Sequence, residues 1–426
     1  MSRSWWPSRP AARALARSVV ADVTPLRVSP AYRRLWIGLT VSNLGQQMTA
    51  VAIAIQVFAI TGSSLSVGLV GMFALVPLIG FGLYGGAIAD AVDRRRLLMV
   101  TSSGLAVMSA VLFAQALMGL RSVGLLYAVV AVQSAFFAVN NPARGAVVPR
   151  LLPLDLLPAA NALGQVTFNL GYTLGPLLGG AVYGLFGPQA AYGTDLLTFG
   201  AALYATWRLP SLPPLGARHE RAGLVMVAEG LRFLRGQRIL LMAFAVDLVA
   251  MVFGMPRALF PAVAETFYGG GAGTVGLLAA APAFGALAAA LFSGGLSRVR
   301  WQGRAVLIAI IIWGAAIAAF GLTRTLVVGM AFLAVAGAAD MVSAVFRTTI
   351  LQVATPDALR GRLQGVFIVV VAGGPRLGDV ESGAVAQLFT PTVSIVSGGL
   401  LCIAGVLLLA ARHPAFARYD AQSPAG

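Results

Sequence analysis

A chain of 426 residues that is 58% hydrophobic and 10% charged, with mean hydropathy +0.86, is not a soluble domain, which runs at about 45–50% apolar and about 25% charged. It is an integral membrane protein. The net charge of +16 comes from 30 basic residues, all arginine; one cysteine, Cys402, and two isolated histidines, His219 and His413, exclude an intramolecular disulfide and offer no metal-ligand cluster.

Residues 1–34 carry seven arginines and read as a cytoplasmic tail with an amphipathic cast. No apolar core of signal-peptide length precedes Arg33. A membrane-crossing helix needs about 20 apolar residues, and twelve runs meet that need: 35–60, 65–89, 97–120, 123–139, 159–186, 190–209, 239–263, 274–296, 305–322, 326–346, 363–389 and 393–411. Most links between them are short, such as 61–64, 187–188 and 390–391. Residues 210–238 form the one long link, rich in Pro and Arg. The expected organisation is a tail (1–34), a six-helix bundle (35–209), a cytoplasmic linker (210–238), a second six-helix bundle (239–412) and a C-terminal tail (413–426).

With both termini in the cytoplasm, 26 of the 30 arginines fall on the cytoplasmic side or at its boundary. The reverse orientation would invert that bias. The basic balance is therefore a topology signal, and no nucleic-acid partner is expected. The two bundles also echo each other. Gly86-x-Ile88-x-Asp90 returns as Gly294-x-Leu296-x-Arg298, and Gly175-Pro176-x-x-Gly179 as Gly374-Pro375-x-x-Gly378, at offsets of 208 and 199 residues. Repeats that enclose a site near the bilayer midplane are a plan of secondary transporters.

Five segments carry a more specific resemblance. Gly86-Ala87-Ile88-Ala89-Asp90, followed by Arg94-Arg95, resembles the loop motif between the second and third helices of the major facilitator superfamily; it departs from that motif at Ala91 and Asp93. Gly171-x-x-x-Gly175-Pro176-x-x-Gly179-Gly180 is similar to the fifth-helix motif of the superfamily's antiporters. Gln56-Val57, Arg257 to Ala262 and Ile350 to Gly365 resemble its drug and siderophore exporter branch. The resemblance implies an all-α integral membrane fold of twelve transmembrane helices in two pseudo-symmetric halves. It also implies alternating access, proton antiport and a monomer.

The resemblance places Gly86, Asp90, Arg94 and Arg95 in a conformational latch, with Asp90 at the N-terminus of the eleventh helix. There a carboxylate meets the helix dipole, an exposed contact worth about 0.3–1 kcal/mol. Gly171, Gly175, Gly179 and Gly180 form a stripe for close packing against a helix of the other half, and Pro176 bends its helix. Ionisable groups inside spans are costly and mark function. Asp195, at the outer end of the sixth span, is expected to reach water. Burial raises a carboxylate's proton affinity and a nearby guanidinium lowers it, so Asp340, Asp379, Glu381 and Asp247 are proton-coupling candidates. Arg376 and Asp379 stand three apart and can pair. Asp340 and Arg347 lie two turns apart on one face. Gln46, Gln56, Asn169, Arg257 and Arg376 are candidates for the cavity wall, and the two arginines favour an anionic or phenolic amphipathic substrate. The expected function is export of such a molecule, a siderophore or related metabolite, across the bacterial inner membrane in exchange for protons. A multidrug exporter of the same fold is the alternative. A polytopic membrane enzyme is more distant, because no polar catalytic cluster is present; no cofactor or metal is called for.

Overall fold

The computed structural model describes residues 22–213, 232–355 and 360–420. Within helices, the side chains at 83, 86, 87, 89, 90, 295, 297, 298, 360–369, 371 and 372 are outside the description. A short helix α1 (Thr24–Val28) precedes α2 (Pro30–Thr61), α3 (Ser64–Ala91), α4 (Arg94–Leu117), α5 (Val123–Leu151) and α6 (Leu157–Trp207). Then follow α7 (Arg238–Phe253), α8 (Phe260–Tyr268), α9 (Ala272–Leu291), α10 (Gln302–Leu322), α11 (Leu326–Ala354), α12 (Arg360–Leu388), α13 (Pro391–Arg412) and the short α14 (Pro414–Ala417). No strand occurs among the described residues, and nine helices among them are long and apolar enough to cross a membrane.

Local chemistry sets the helix starts. Ser29, Ser63, Ser122 and Thr390 each accept a hydrogen bond from the amide three residues on, satisfying an amide that the first turn leaves free. Pro30 and Pro391 occupy first-turn positions where the missing N–H costs nothing. Gly62 ends α2 in the left-handed region at φ 62°. The outer surface is apolar: Phe292, Leu197, Leu185 and Leu291 are each more than 70% exposed, as lipid contact requires.

The runs 159–186 and 190–209 form the two arms of α6, parted at Gly187, whose φ of 79° and ψ of 177° are non-helical. One expected span differs. The run 239–263 is interrupted. Helix α7 stops at Gly254, a 3-10 turn spans Arg257–Leu259, and α8 resumes at Phe260. Pro256 supplies no amide to carry the ladder across. The indole Nε1 of Trp313 on α10 donates to the carbonyl of Gly254 at 2.8 Å, so the break leaves that buried acceptor satisfied.

Helix α2 packs along α6, α3 along α5, and α10 against α11 and α13. Two further pairs, α3 with α12 and α6 with α9, close the body around its centre. Among the described residues, these pairs meet closely near the turns 61–64, 268–272 and 388–391. There Ser63 Oγ donates to Gln387 Oε1 at 2.8 Å. Gly180 on α6 faces Gly276 on α9: a Cβ at Gly180 would stand 2.5 Å from the Ala272 carbonyl oxygen, and one at Gly276 would stand 2.5 Å from that of Pro176.

Candidate functional site

At the centre lies a cavity of about 650 Å³, within the size range of small-molecule sites. One wall comes from α2, α4, α5 and α6. It offers Gln46, Gln133 and Asn169 among Phe137, Phe168 and Tyr172. The opposite wall comes from the broken α7–α8 segment, α9, α10, α11 and α12, and brings the charges: Arg257, Asp340, Arg376 and Asp379. Arg257 sits on the 3-10 turn itself, where interruption of the helix turns it toward the cavity.

The structure brings together some of the sequence candidates and separates others. Arg347, on α11, donates through Nη1 to Asp247 Oδ1 on α7. Its Nη2 stands 3.9 Å from Asp340 Oδ1. One buried guanidinium thus spans two carboxylates. Asp340 faces the cavity, and Asp247 lies behind the wall at 3% exposure. Arg376 and Asp379 both line the cavity, but no ion pair joins them among the described residues, and Arg376 Nε and Asp379 Oδ1 are buried without hydrogen-bond partners. Asp379 instead lies within the electrostatic reach of both Arg257 and Arg376. Glu381 is partly buried and outside the cavity lining.

Gln46 and Asn169 stand at the cavity. Gln46 Nε2 donates to Ser42, and Asn169 Oδ1 accepts from Gln165. Gln56 is not at the cavity. It exchanges hydrogen bonds of 3.3 and 3.1 Å with Gln115 and accepts one of 2.5 Å from the Tyr192 hydroxyl, all within the packing of α2, α4 and α6. Ten residues are about 2.8 helical turns, so Gln46 and Gln56 leave α2 on different faces. Replacing Tyr192 by Phe should therefore cost about 1 kcal/mol of stability, the worth of one neutral hydrogen bond, and leave binding unchanged. Thermal unfolding and a binding titration on the same sample check this.

The glycine stripe of α6 divides. Gly171 faces Asn43, Gly175 faces Gln47, and Gly179 faces Met48, all on the adjacent α2; only Gly180 reaches across to α9. Pro176 presents its carbonyl to Gly276. In the last turns of α3, the side chains at Gly86 and Asp90 lie outside the described residues. Arg94 Nη1 donates to the Ala146 carbonyl and Arg95 Nη2 to that of Trp207. Asp93 caps α4 through Arg96 N and receives Ser211 Oγ at 2.7 Å and Leu212 N at 3.0 Å. Burial pushes the Asp93 carboxyl up, but the bonds from Ser211 and from the amides of Arg96, Leu212 and Arg95 outweigh it and hold the group below its usual range. A depressed carboxyl contributes stability that is fully present above its unfolded pKa of 3.8 and is lost as pH falls through the folded value. Near neutral pH, Asp93 stays charged and this loop stays tied.

Asp195 corrects an expectation. It is 1% exposed rather than at the water boundary, lines the cavity, and accepts from Ser109 Oγ at 2.6 Å. The wall that includes α4 and α6 therefore carries an acid. The bend at Gly187 sets the depth of this arm, and nothing in the hydropathy run indicates which face of the helix turns inward.

A lipid-facing helical body around a central cavity, with charged side chains set among apolar and aromatic ones, has the form of a membrane transporter. The chain belongs to the transmembrane secretion effector family (MFS_3) of the major facilitator superfamily, whose family model matches residues 20–425. It is 28% identical to the enterobactin exporter EntS of Shigella boydii serotype 18 over 400 residues, 92% of this chain and 94% of that one. The same figures hold for EntS of Escherichia coli O139:H28. The fold is similar to those of the nucleoside transporter NupG (TM-score 0.69, 14% identity, 92% and 100% of the two chains) and the POT family transporter PepTSo (TM-score 0.72, 12% identity, 92% and 99%).

Proposed function

We propose that this protein is a secondary active exporter of an amphipathic small molecule, a siderophore or related metabolite, driven by proton antiport with alternating access. The observation that carries the reading is the composition of the cavity. Arg257 and Arg376 offer two cationic donors to an anionic or phenolic group, and Asp340 and Asp379 stand on the same wall. A proton taken up by either acid alters the local charge against which an anionic substrate binds, so proton and substrate influence each other. The likeness to proteins named enterobactin exporters supports the substrate class.

In this reading the nine apolar helices, the two arms of α6 and α12 make twelve spans. They form two six-helix bundles, 35–209 and 239–412, joined by a cytoplasmic linker, and both termini lie in the cytoplasm of a bacterial cell. The protein works as a monomer in the inner membrane. With that orientation, the tight end near residues 61–64 and 388–391 is the outer end, and the chain stands closed to the outside.

Two measurements test the proposal. Medium from a deletion strain grown under iron limitation should lack a secreted compound that the parent exports; unchanged medium counts against siderophore export. In vesicles, export driven by a pH jump should lose its proton dependence in Asp340→Asn or Asp379→Asn. Unchanged dependence in both removes these acids from the coupling. The aromatic lining of Phe137, Phe168, Tyr172 and Trp313 also suits lipophilic drugs, and a deletion strain sensitised to such compounds, with no metabolite lost, would favour a multidrug exporter.

A further inference from the structure

The acids assigned above all stand on the wall formed by α7–α12. The opposite wall holds Asp195, and nothing in the proposed coupling uses it. Its surroundings are hydroxyls. Ser109 Oγ on α4 donates to Oδ2 at 2.6 Å, and the hydroxyls of Thr49 on α2 and Thr198 on α6 lie beside it. Thr198 is occupied, donating to the Asp195 carbonyl at 2.6 Å. Asp195 Oδ1 and Thr49 Oγ1 are both buried and lie side by side, and neither completes a hydrogen bond of good geometry. A Cβ at Gly45 would stand 2.7 Å from Oδ1, so the carboxyl is pressed against the backbone of α2 with no room for an organic ligand on that side.

Among the described residues, no cation stands ready to neutralise an ionised Asp195. On α4 the nearest arginine to Ser109 is Arg96. On α2 the nearest to Thr49 is Arg34, and on α6 itself the nearest is Arg208. Each is at least thirteen residues away, about 20 Å along a helix. Helix α9, which also packs on α6, carries no ionisable residue. The one titratable side chain a turn away, Tyr192, is committed to Gln56. Arg257 and Arg376 belong to the opposite wall. An unpaired buried carboxylate is costly, and such groups neutralise instead. One proton on Oδ1 removes that charge and turns an unsatisfied acceptor into a donor toward Thr49. Asp195 and Thr49 both line the cavity, so the proton has a route in and out.

We infer that Asp195, with Ser109 and Thr49, is a second proton-binding site of the cavity, carried by the α2–α4–α6 wall. The proton-coupled reading then has a proton site on each wall, and the inference rests on that reading for its role in transport. Its existence as a proton site is measured independently of any substrate. In the purified full-length chain, infrared difference spectroscopy on a pH change should show a protonated-carboxyl band that is lost in Asp195→Asn and kept in Asp340→Asn and Asp379→Asn. Ser109→Ala retains the carboxyl and removes one hydrogen bond, so the band should persist at higher frequency. A spectrum unchanged in Asp195→Asn overturns the proposal. If Asp195→Asn does not accumulate folded, Ser109→Ala decides alone, and an unshifted band overturns it. A response to sodium at constant pH, with none to protons, would make this a cation site and equally overturn the assignment.

Discussion

Replacing Arg347 by methionine is expected to destabilise the protein more than any other single change in the cavity region. The guanidinium is buried between Asp247, which it hydrogen-bonds, and Asp340, 3.9 Å away. Methionine fills much of the volume but leaves Asp247 buried and unpaired, with the Asp340 carboxylate nearby at the cavity edge. Removing one partner of a buried ion pair costs about 3–5 kcal/mol, and here the remaining partners repel as well. The expected result is a lowered unfolding temperature in detergent and a reduced yield from membranes. Lysine should rescue little, because a single ammonium cannot offer the divergent donors that reach two acids. The double variant Arg347→Met with Asp247→Asn should recover much of the loss. If Arg347→Met unfolds at the parental temperature, the cluster contributes no stability.

Gly180→Ala should be the most damaging of the small substitutions in the seam. Its Cβ would stand 2.5 Å from the backbone oxygen of Ala272, which has no flexible end to give way. One turn on, Gly184→Ala is the control, since its Cβ would meet Ala272 at an ordinary 3.6 Å. Overpacking costs about 1–3 kcal/mol. Confined to the state closed at this end, that cost shifts the balance of states by roughly 5–150-fold. Labelling of a reporter cysteine placed in the cavity, from each side of the membrane in turn, should show the tight end opened in Gly180→Ala and unchanged in Gly184→Ala. Equal labelling in the two variants would mean that the seam tolerates the methyl group and does not hold this end shut.

The long helices were legible because about twenty apolar residues in a row admit few other readings. The bend at Gly187-Pro188 was legible for the same reason, since the two runs flank it. The break after Gly254 was not read, although Gly254 and Pro256 lie inside one apolar run and weaken a helix there; hydropathy does not register a missing amide. Which side chains meet across helices was harder still. Asp247 and Arg347 are one hundred residues apart, and nothing local links them. Arg376 and Asp379 have the spacing of a helical pair and act on each other electrostatically, yet they form no ion pair among the described residues, and Asp379 is also within reach of Arg257. Gln56 and Asp195 were misplaced in opposite directions, one assigned to the cavity and one to water. In both cases the azimuth about the helix decides, and a uniformly apolar helix gives no periodicity from which to read it.

The seam between α6 and α9 has a consequence for how the two ends of the molecule answer their surroundings. At Gly180 and Gly276 the backbones approach through small residues, with no charged group between them, so neither ionic strength nor pH has a handle on that contact. At the other end, beside the loop after α3, Arg94 and Arg95 donate to backbone carbonyls, and Asp93 accepts from Ser211 and Leu212 through a carboxylate that strong acid protonates. Acid thus reaches the α3 end of the molecule through one carboxylate, Asp93, and finds no group to protonate where Gly180 meets Gly276.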